Sequence, residues 1–469
     1  MATPEMVLLG LICVVLIADL FVDDEGRALT FWLAIASLAA TLWTLLATAP
    51  GESTVVLSGS YVSDPFSQLL KIAVTVFVGI AFLYSRDYMQ ANDQHKGEFY
   101  VLGMFGLLGM MIMISANSLL TMYMGLETLA LSLYALVAID RTNVTSAESA
   151  MKYFVLGAIA SGCLLYGISW VYGVTGSIQF DEIAAAISTD PSVNSLPLWF
   201  GLAFLIAGIA FKFGAVPFHM WVPDVYQGAC SSVTLYVGSA PKLAALALTL
   251  RILVDALGGL HETWADMLMI VAVLSLVLGN VVAIAQSNIK RMLGYSTIAH
   301  VGFILLSVFT GTQQGYAAAL FYTLTYVVSA AAAFGMVILL SRRGYEAENL
   351  SDFKGLNARS PWFALIMMLA MFSMAGIPPL VGFFGKLNAI NAVLTSGYTG
   401  LAVIMVLASV VGAYYYLRVI WYMYFEDATD QAVLQASIDT RIVLSLNGIA
   451  VLALGILPGW LWTLCLEVL

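Results

Sequence analysis

The segment LPLWFGLAFLIAGIAFKFGAVPFHMWVPDVYQGAC at residues 196–230 decides the fold, together with PWFALIMMLAMFSMAGIPPLVGFFGKLNAINAVLT at residues 361–395. Each is 35 mainly apolar residues long. One continuous helix of that length would be about 52 Å long, against a bilayer core of about 30 Å. Pro217 lies near the middle of the first segment and Pro378–Pro379 near the middle of the second. Because proline removes a backbone donor and clashes with the preceding turn, we predict two helices broken inside a membrane.

The composition excludes a soluble protein. Of the 469 residues, 61% are apolar and only 10% are charged. A soluble domain is nearer to about 45–50% apolar and about 25% charged. With 18 Lys+Arg and 28 Asp+Glu, the net charge is −10, which also excludes a basic nucleic-acid-binding protein.

Apolar stretches of about 20 residues recur along the chain, and each can span a bilayer. We predict an all-α polytopic membrane protein with 14 transmembrane helices, of which spans 7 and 12 are the broken ones. The spans lie near residues 6–22, 28–49, 66–84, 99–115, 119–139, 150–172, 196–230, 233–257, 267–285, 292–310, 316–340, 361–395, 400–425 and 442–468. Residues 177–187 are predicted to form a short interfacial helix. Paired broken helices in two halves of a chain are typical of inverted-repeat transporters.

Lysine and arginine in the loops predict the orientation. Loops after odd-numbered spans contain 11 of the 18 positive residues, whereas the even loops and both termini contain none. We therefore predict cytoplasmic odd loops and periplasmic termini. The 11 residues are Arg27, Arg86, Lys96, Arg141, Lys290, Arg291, Arg342, Arg343, Lys354, Arg359 and Arg441.

Ionisable residues inside the spans are functional candidates, because a charge at the bilayer centre costs at least about 2.5–3.5 kcal/mol. Counting along the helices predicts a row of titratable groups near the midplane: Glu127, Lys212, Lys242, His300 and Lys386. A buried lysine can have a pKa low enough to release its proton. The row therefore favours a proton relay over a channel, which would use rings of carbonyls or carboxylates.

Structural roles are the alternative for the remaining polar residues. Arg251 and Asp255 are four residues apart and predict an ion pair. Arg418 is expected to extend its guanidinium to the membrane surface. Lys71 and Asp64 are interpreted as interface residues. For His219 and His300, two interpretations stay open. Each is either a hydrogen-bonded core residue or a member of the relay.

The chain shows no sequence pattern for a cofactor of its own. Its four cysteines are far apart and lie in apolar runs, which does not fit a metal, an iron–sulfur cluster or a disulfide framework. No glycine-rich nucleotide-binding motif follows a predicted strand.

Several longer motifs closely resemble the antiporter-like membrane subunits of proton-pumping NADH:quinone oxidoreductase (respiratory complex I), and the likeness covers nearly the whole chain. These motifs are MYMGLETLALSLYAL (122–136), KYFVLGAIASGCLLYG (152–167), FKFGAVPFHMWVPDVYQGA (211–229), NIKRMLGYSTIAHVGF (288–303) and GIPPLVGFFGKL (376–387).

The resemblance implies a fold with two inverted five-helix repeats. Residues 1–97 would form helices 1–3, residues 98–260 the first repeat, residues 261–428 the second repeat and residues 429–469 helix 14. The family has three paralogous subunits. One carries a long lateral helix after its last spans, which is not expected here, and another typically has a glutamate where this chain has Lys386. The chain therefore most resembles the third.

The resemblance also implies roles for individual residues. Glu127 would pair with Lys212, Lys242 would link two half-channels and Lys386 would lie on the exit side. The other members matching the family are His219 and His300 as connecting polar residues, and Lys152 and Lys290 nearer the cytoplasm.

The resemblance further implies a multi-pass protein of the bacterial inner membrane that contacts lipid, an M-like antiporter subunit and small membrane subunits. FMN, iron–sulfur clusters and quinone would be in partner subunits, so this chain would be a non-redox subunit. Two alternatives stay open. One is a subunit of a multisubunit sodium/proton antiporter, and the other is a structural membrane subunit whose charges only hold helices together.

Overall fold

The computed structural model describes residues 2–23, 27–92, 96–341, 344–428, 434 and 437–469. Within these residues, 12 helical segments are long and apolar enough to cross a membrane. A helix pairs its backbone N–H and C=O groups internally, which lipid requires. The chain is therefore a multi-pass membrane protein. Arg342, Arg343 and residues 429–433, where the predicted last domain begins, lie outside the described residues.

Within the described residues, the first half of the chain forms eleven α-helices. They are α1 (Thr3–Asp19), α2 (Ala28–Ala47), α3 (Pro65–Ala91), α4 (Gly97–Ile114), α5 (Leu119–Val137), α6 (Val144–Thr175), α7 (Phe180–Thr189), α8 (Leu196–Phe213), α9 (Trp221–Gly228), α10 (Ser231–Gly238) and α11 (Ala240–Leu250). The short α7 occupies the position of the predicted interfacial helix.

The second half forms nine further α-helices within the described residues, where 12 helical segments can span a membrane and the sequence analysis predicted 14. They are α12 (His261–Ile284), α13 (Ile289–Phe309), α14 (Gln313–Leu340), α15 (Leu356–Arg359), α16 (Pro361–Ala375), α17 (Val381–Thr395), α18 (Thr399–Phe425), α19 (Ile438–Ile456) and α20 (Pro458–Glu467). Several helices are longer than their apolar cores. As a result, some of the predicted loop charges, such as Arg86 in α3 and Lys290 in α13, lie within helix ends.

Both long apolar segments are divided into two helices. The first separates into α8 and α9 around residues 214–220, and the second into α16 and α17 around residues 376–380. The first residue of each interruption is a glycine with positive φ: Gly214 at +77° and Gly376 at +87°. L-residues with side chains rarely adopt this conformation, so the two glycines end α8 and α16 at low cost.

Span 8 contains interruptions that the sequence analysis did not predict. Ser239 separates α10 from α11 with φ −116° and ψ −97°, and Pro241 follows in the first turn of α11. The helix then ends in a π-helical turn, Arg251–Ala256. The available signal was Pro241, which cannot donate a backbone hydrogen bond to the preceding turn. Lys242, the next residue, therefore lies at a helix start rather than inside a regular helix.

A short antiparallel hairpin also departs from the all-helical prediction. Strand β1 (Thr54–Val56) pairs with β2 (Tyr61–Ser63) between α2 and α3. The connecting turn has positive φ at Leu57, Ser58 and Gly59. Strands of three residues are too short to give a recognisable alternation of apolar and polar residues, which is why the sequence did not reveal them.

Glycine contacts bring two pairs of helices close together. A Cβ on Gly109 of α4 would lie 2.5 Å from the backbone nitrogen of Leu129 on α5. Correspondingly, a Cβ on Gly279 of α12 would lie 2.6 Å from the nitrogen of Ala299 on α13. Small residues let membrane helices approach closely, where packing holds them together. Gly109 and Gly279 therefore each allow a close crossing of two consecutive helices.

Substituting Gly109 with alanine is expected to destabilise the protein, because the new methyl group would overlap backbone that cannot move independently. We expect Gly109→Ala to lower the free energy of unfolding by about 1–3 kcal/mol, measured by loss of helical circular dichroism during titration with sodium dodecyl sulfate. Gly162→Ala is the matched control, since no atom lies within 4 Å of its added Cβ. Equal stabilities of the two variants would contradict the close α4–α5 crossing.

Candidate functional site

Lys212 and Lys242 line one small cavity. Lys212 lies in the last turn of α8, and Lys242 lies in the first turn of α11. The cavity measures about 20 Å³ and is otherwise lined mainly by apolar residues, with the rings of Tyr153 and Trp221 on its wall. A volume of this size accommodates about one water molecule. The two lysines predicted to be neighbours in a relay therefore share a space that a single water could bridge.

The ammonium group of Lys242 lies at the carbonyl end of α8. Its Nζ donates to the Phe213 carbonyl oxygen over 3.0 Å and lies 5.3 Å from the centre of the Trp221 ring. The Trp221 indole in turn donates to the Phe211 carbonyl over 2.9 Å. The last carbonyls of a helix lack intrahelical partners and carry partial negative charge. The interruption after α8 thus provides the acceptor that holds Lys242.

Lys386 occupies the equivalent place at the second interruption. Its Nζ donates to the Ala375 carbonyl oxygen, the last of α16, over 2.8 Å and to Ser409 Oγ of α18 over 2.9 Å. It also lies 5.5 Å from the centre of the Phe303 ring. Gly376 is close beside it, since an added Cβ there would approach Lys386 Cδ to 2.8 Å. Glycine at this position therefore leaves room for the lysine as well as ending α16.

His300 is buried within a cluster of hydroxyl groups. Its Nδ1 is 2.8 Å from the Tyr322 hydroxyl, and its Nε2 is 2.9 Å from the Tyr416 hydroxyl. Phe303 stacks on Tyr322 and also faces Lys386, so His300 and Lys386 belong to one cluster. Each neutral imidazole nitrogen has a partner that can either donate or accept. This arrangement can exchange a proton on either side of the ring.

Glu127 has a hydroxyl partner that the sequence analysis did not single out. Its Oε1 accepts a hydrogen bond from Ser161 Oγ on α6. In the part of the chain that the structure describes, no ion pair joins Glu127 to Lys212, and Lys212 instead lies 5.9 Å from the centre of the Phe211 ring. Glu127 is nevertheless the charged group that acts electrostatically on Lys212, so their implied pairing stays a prediction.

The three remaining predicted site residues lie in a region rich in ion pairs. Lys152 pairs with Glu148 and with Asp224, each over 2.9 Å, and Lys290 pairs with Glu348 over 2.7 Å. His219 lines an open cavity of about 580 Å³ with Lys152, Asp224 and Arg291, and its Nδ1 has no hydrogen-bond partner within the described residues. Lys152, Lys290 and His219 are thus separate from the central lysines.

The described contacts leave one gap in the predicted row. Lys212 and Lys242 form one group, and His300 and Lys386 form another. Among the described residues, no hydrogen bond joins the two groups directly. The row is thus two local clusters rather than one continuous chain of contacts.

The structural charges are only partly as predicted. Arg251 pairs with Asp255 over 3.0 Å, as expected, and additionally with Asp64 over 2.6 Å. The interpretation of Lys71 as an interface residue was wrong. It is buried and pairs over 2.6 Å with Glu5 of α1, a partner too distant in sequence to be foreseen. Arg418 donates to the carbonyl oxygens of Ile284 and Gln286, so it caps the end of α12.

Sequence reasoning also missed the hydroxyl partners of the site. Ser161, Ser409 and Tyr416 were not singled out, because hydroxyl residues are common in apolar helices and carry no charge. Tyr322 and Tyr326 are four residues apart, which places both on one face of α14, and this spacing was the one usable signal. Within the described residues, no group of three or more His, Cys, Asp or Glu side chains could hold a metal.

Comparisons with known proteins agree with the motifs. The family described as NADH:quinone oxidoreductase/Mrp antiporter, TM, matches residues 116–412. NADH-quinone oxidoreductase subunit N of Thioalkalivibrio sulfidiphilus is 56% identical over 461 residues, which are 98% of this chain and 96% of the relative. The subunit N of Thiobacillus denitrificans is 51% identical over 466 residues, 99% of this chain and 96% of the relative.

Solved structures show the same relationship. A chain of respiratory complex I from Thermus thermophilus with bound aureothin superposes with a TM-score of 0.84 at 31% identity, covering 98% of both chains. A chain of the Mrp complex from a Dietzia species has a TM-score of 0.85 at 20% identity, covering 100% of this chain and 97% of the other, and shares the fold. The predicted resemblance, including that to the third paralogue, is confirmed. The chain belongs to the family of NADH:quinone oxidoreductase and Mrp antiporter membrane subunits.

Proposed function

We propose that this chain is a proton-translocating membrane subunit of NADH:quinone oxidoreductase in the bacterial inner membrane. The observation that carries the proposal is the placement of two buried lysines, Lys242 and Lys386, on the carbonyl ends of two interrupted helices. The near-full-length likeness to subunit N relatives supports the same assignment. Fixed structural charges would be expected to have carboxylate partners, whereas these lysines have neutral carbonyl and hydroxyl partners.

The proposal includes the fold's finer organisation: 14 spans, with residues 98–260 and 261–428 as inverted repeats. Two observations support it. Each half contains a glycine-dependent helix crossing, at Gly109 and Gly279. Each half also contains an apolar segment interrupted at a glycine of positive φ, after α8 and after α16.

The proposed proton transfer proceeds in steps between neighbouring bases. The ammonium of Lys212 loses a proton to the neutral amine of Lys242 across the shared cavity, so one N–H bond breaks and another forms. Because no hydrogen bond joins this group to the second one within the described residues, the next transfer runs through water molecules to His300 and its tyrosine partners. The proton then passes to Lys386 and from there to the periplasm. Moving the charge of Glu127 relative to Lys212 shifts this equilibrium, because two unit charges 4 Å apart interact by about 4 kcal/mol at an effective dielectric of 20.

The energy for these shifts comes from quinone reduction elsewhere in the complex. FMN, iron–sulfur clusters and quinone belong to partner subunits, and this chain acts as a non-redox subunit beside an M-like antiporter subunit and small membrane subunits. Because coupling between binding equilibria is reciprocal, a proton gradient would oppose quinone reduction.

A sodium/proton antiporter subunit is the second candidate, since the matching family also includes Mrp antiporters. Sodium-dependent proton movement in vesicles that lack quinone reductase would favour it. A purely structural subunit is the third, and in that case neutralising Glu127 would impair assembly without changing the proton yield of the complexes that form.

The orientation can be tested by cysteine labelling. Thr142, after α5, and Ser192, after α7, are both exposed in loops on opposite sides of the predicted membrane. In intact cells, we expect a membrane-impermeant maleimide that reaches the periplasm to label Ser192→Cys but not Thr142→Cys, with labelling of both after lysis. The reverse pattern would show that the termini face the cytoplasm.

Replacing Lys212 tests the proton relay directly. We expect Lys212→Met to assemble but to slow coupled proton translocation by about 10²-fold, since positioned acid–base groups contribute about 10²–10⁴-fold. The measurement is proton release per NADH oxidised by the purified complex in liposomes. Lys354→Met is the control, because Lys354 lies in a loop and pairs with Glu426. A Lys212→Met complex that pumps at the full ratio would refute the assignment.

Two tyrosines of α18 provide a matched pair for the His300 cluster. Tyr416→Phe removes the hydroxyl bonded to His300 and to Ser296, whereas Tyr414 is 56% exposed. We expect Tyr416→Phe to cost about 1–3 kcal/mol of stability, because buried polar groups lose their partner, and to slow proton translocation. Tyr414→Phe should change neither quantity. Unaltered translocation in a folded Tyr416→Phe protein would exclude this hydroxyl from the path.

A further inference from the structure

Glu346, in the loop after α14, has an environment that the proposed relay does not use. Its Oε1 accepts a hydrogen bond from the Tyr88 hydroxyl of α3. Its Oε2 accepts from Ser231 Oγ, the first residue of α10, over 2.7 Å and from Ser341 Oγ over 3.5 Å. Three separate elements thus direct neutral hydroxyl donors at one carboxyl group.

A charged neighbour of Glu346 in the sequence has its own ion-pair partner. Glu348, two residues later, pairs with Lys290 of α13 over 2.7 Å, and Lys290 also donates to the Ala229 carbonyl over 3.0 Å. The described parts of α3 and α10 present Tyr88 and Ser231 to the carboxyl but no cation, and within the described residues no cation forms an ion pair with it. Arg342 and Arg343 lie outside those residues. Among the described residues, Glu346 therefore has hydrogen-bond donors but no positively charged ion-pair partner.

The hydroxyl donors alone would favour the ionised carboxylate, whereas burial of the group favours the protonated carboxyl. Burial, and then the negative charge of Glu348, raises the pKa of Glu346 to about 8. The group consequently holds a proton below about pH 8 and releases it above. A glutamate carboxyl of ordinary pKa, about 4.3, would already be ionised at neutral pH.

The position of Glu346 connects it to the proposed site. Its partner Ser231 begins α10, which leads through Ser239 to Lys242 on α11. Its neighbour Glu348 holds Lys290, one of the predicted site residues. By the distribution of loop charges, this end of the helices faces the cytoplasm.

We propose that Glu346 is a proton-loading site at the cytoplasmic end of the path. The carboxylate takes a proton from cytoplasmic water and forms an O–H bond. That bond breaks when the proton passes to a water molecule on the way to the central lysines, and the electron pair stays on the carboxylate oxygen. This inference rests on the proposed proton-translocating function and on the predicted orientation.

Infrared difference titration of the whole purified complex tests the proton binding. In wild-type minus Glu346→Gln difference spectra, we expect a protonated-carboxyl band that disappears as the pH rises through about 8. Glu348→Gln should move this loss to lower pH, because it removes the neighbouring negative charge. Glu182→Gln, which changes an exposed carboxyl on α7, should leave the band as in the wild type. A band absent from the difference spectra at every pH would overturn the proposal.

Proton translocation by the same variants tests the loading role. In Glu346→Gln the side-chain amide oxygen can still accept from one of the two hydroxyls of Tyr88 and Ser231, and the amide NH2 can donate to the other. We therefore expect this variant to assemble but to pump at least about tenfold more slowly, whereas Glu346→Asp retains a titratable group and part of the rate. If Glu346→Gln pumps protons at the wild-type rate while Lys212→Met does not, Glu346 lies outside the path. In that case the loading role is overturned and the proposed function stands. If both variants pump fully, the proposed function itself fails.

Discussion

The organisation of this protein depends on one constraint, which is that backbone carbonyls exposed inside a membrane must find donors. Ending α8 and α16 within long apolar segments frees carbonyls that water cannot satisfy there. Lys242 and Lys386 supply the donors, at 3.0 Å and 2.8 Å. The same contact that completes the backbone hydrogen bonding therefore holds a titratable group inside the membrane. The helix interruption, which would otherwise leave a carbonyl without a donor, therefore also positions the titratable side chain.

The charges of the protein divide according to their partners. Lys71, Arg251 and Lys152 each have carboxylate partners, as is usual for ion pairs that hold helices together. Lys242 and Lys386 have carbonyl and hydroxyl partners instead. A carboxylate would strongly favour the charged ammonium, whereas a neutral acceptor allows the neutral amine at smaller cost. The chemical type of the partner, more than the position of the residue in its helix, thus distinguishes groups suited to proton exchange from groups that stabilise the fold.

Some of this organisation could be predicted from the sequence and some could not. The spans and the two interruptions followed from the length of apolar runs and from proline, which act locally. The pairing of Lys71 with Glu5 and the turning of Glu127 toward Ser161 depend on which helix faces lie together, and a single sequence does not contain that information. The π-helical turn at Arg251–Ala256 likewise had no distinct residue signal. Features set by the local sequence could therefore be predicted, whereas contacts between residues on different helices could not.

The geometry also changes which lysines correspond in the two halves. By span number, Lys212 and Lys386 are equivalent, since both lie in the interrupted spans 7 and 12. By position, Lys386 corresponds to Lys242, because each donates to the last carbonyl of the preceding half-helix. Lys212 then has no lysine counterpart in the second half, where His300 and its tyrosines adjoin Lys386 instead. The first half thus places two amines in one cavity, whereas the second combines one amine with an imidazole and hydroxyls. Proton exchange in the first half would therefore run between two amines, and in the second half between an amine, an imidazole and hydroxyl groups.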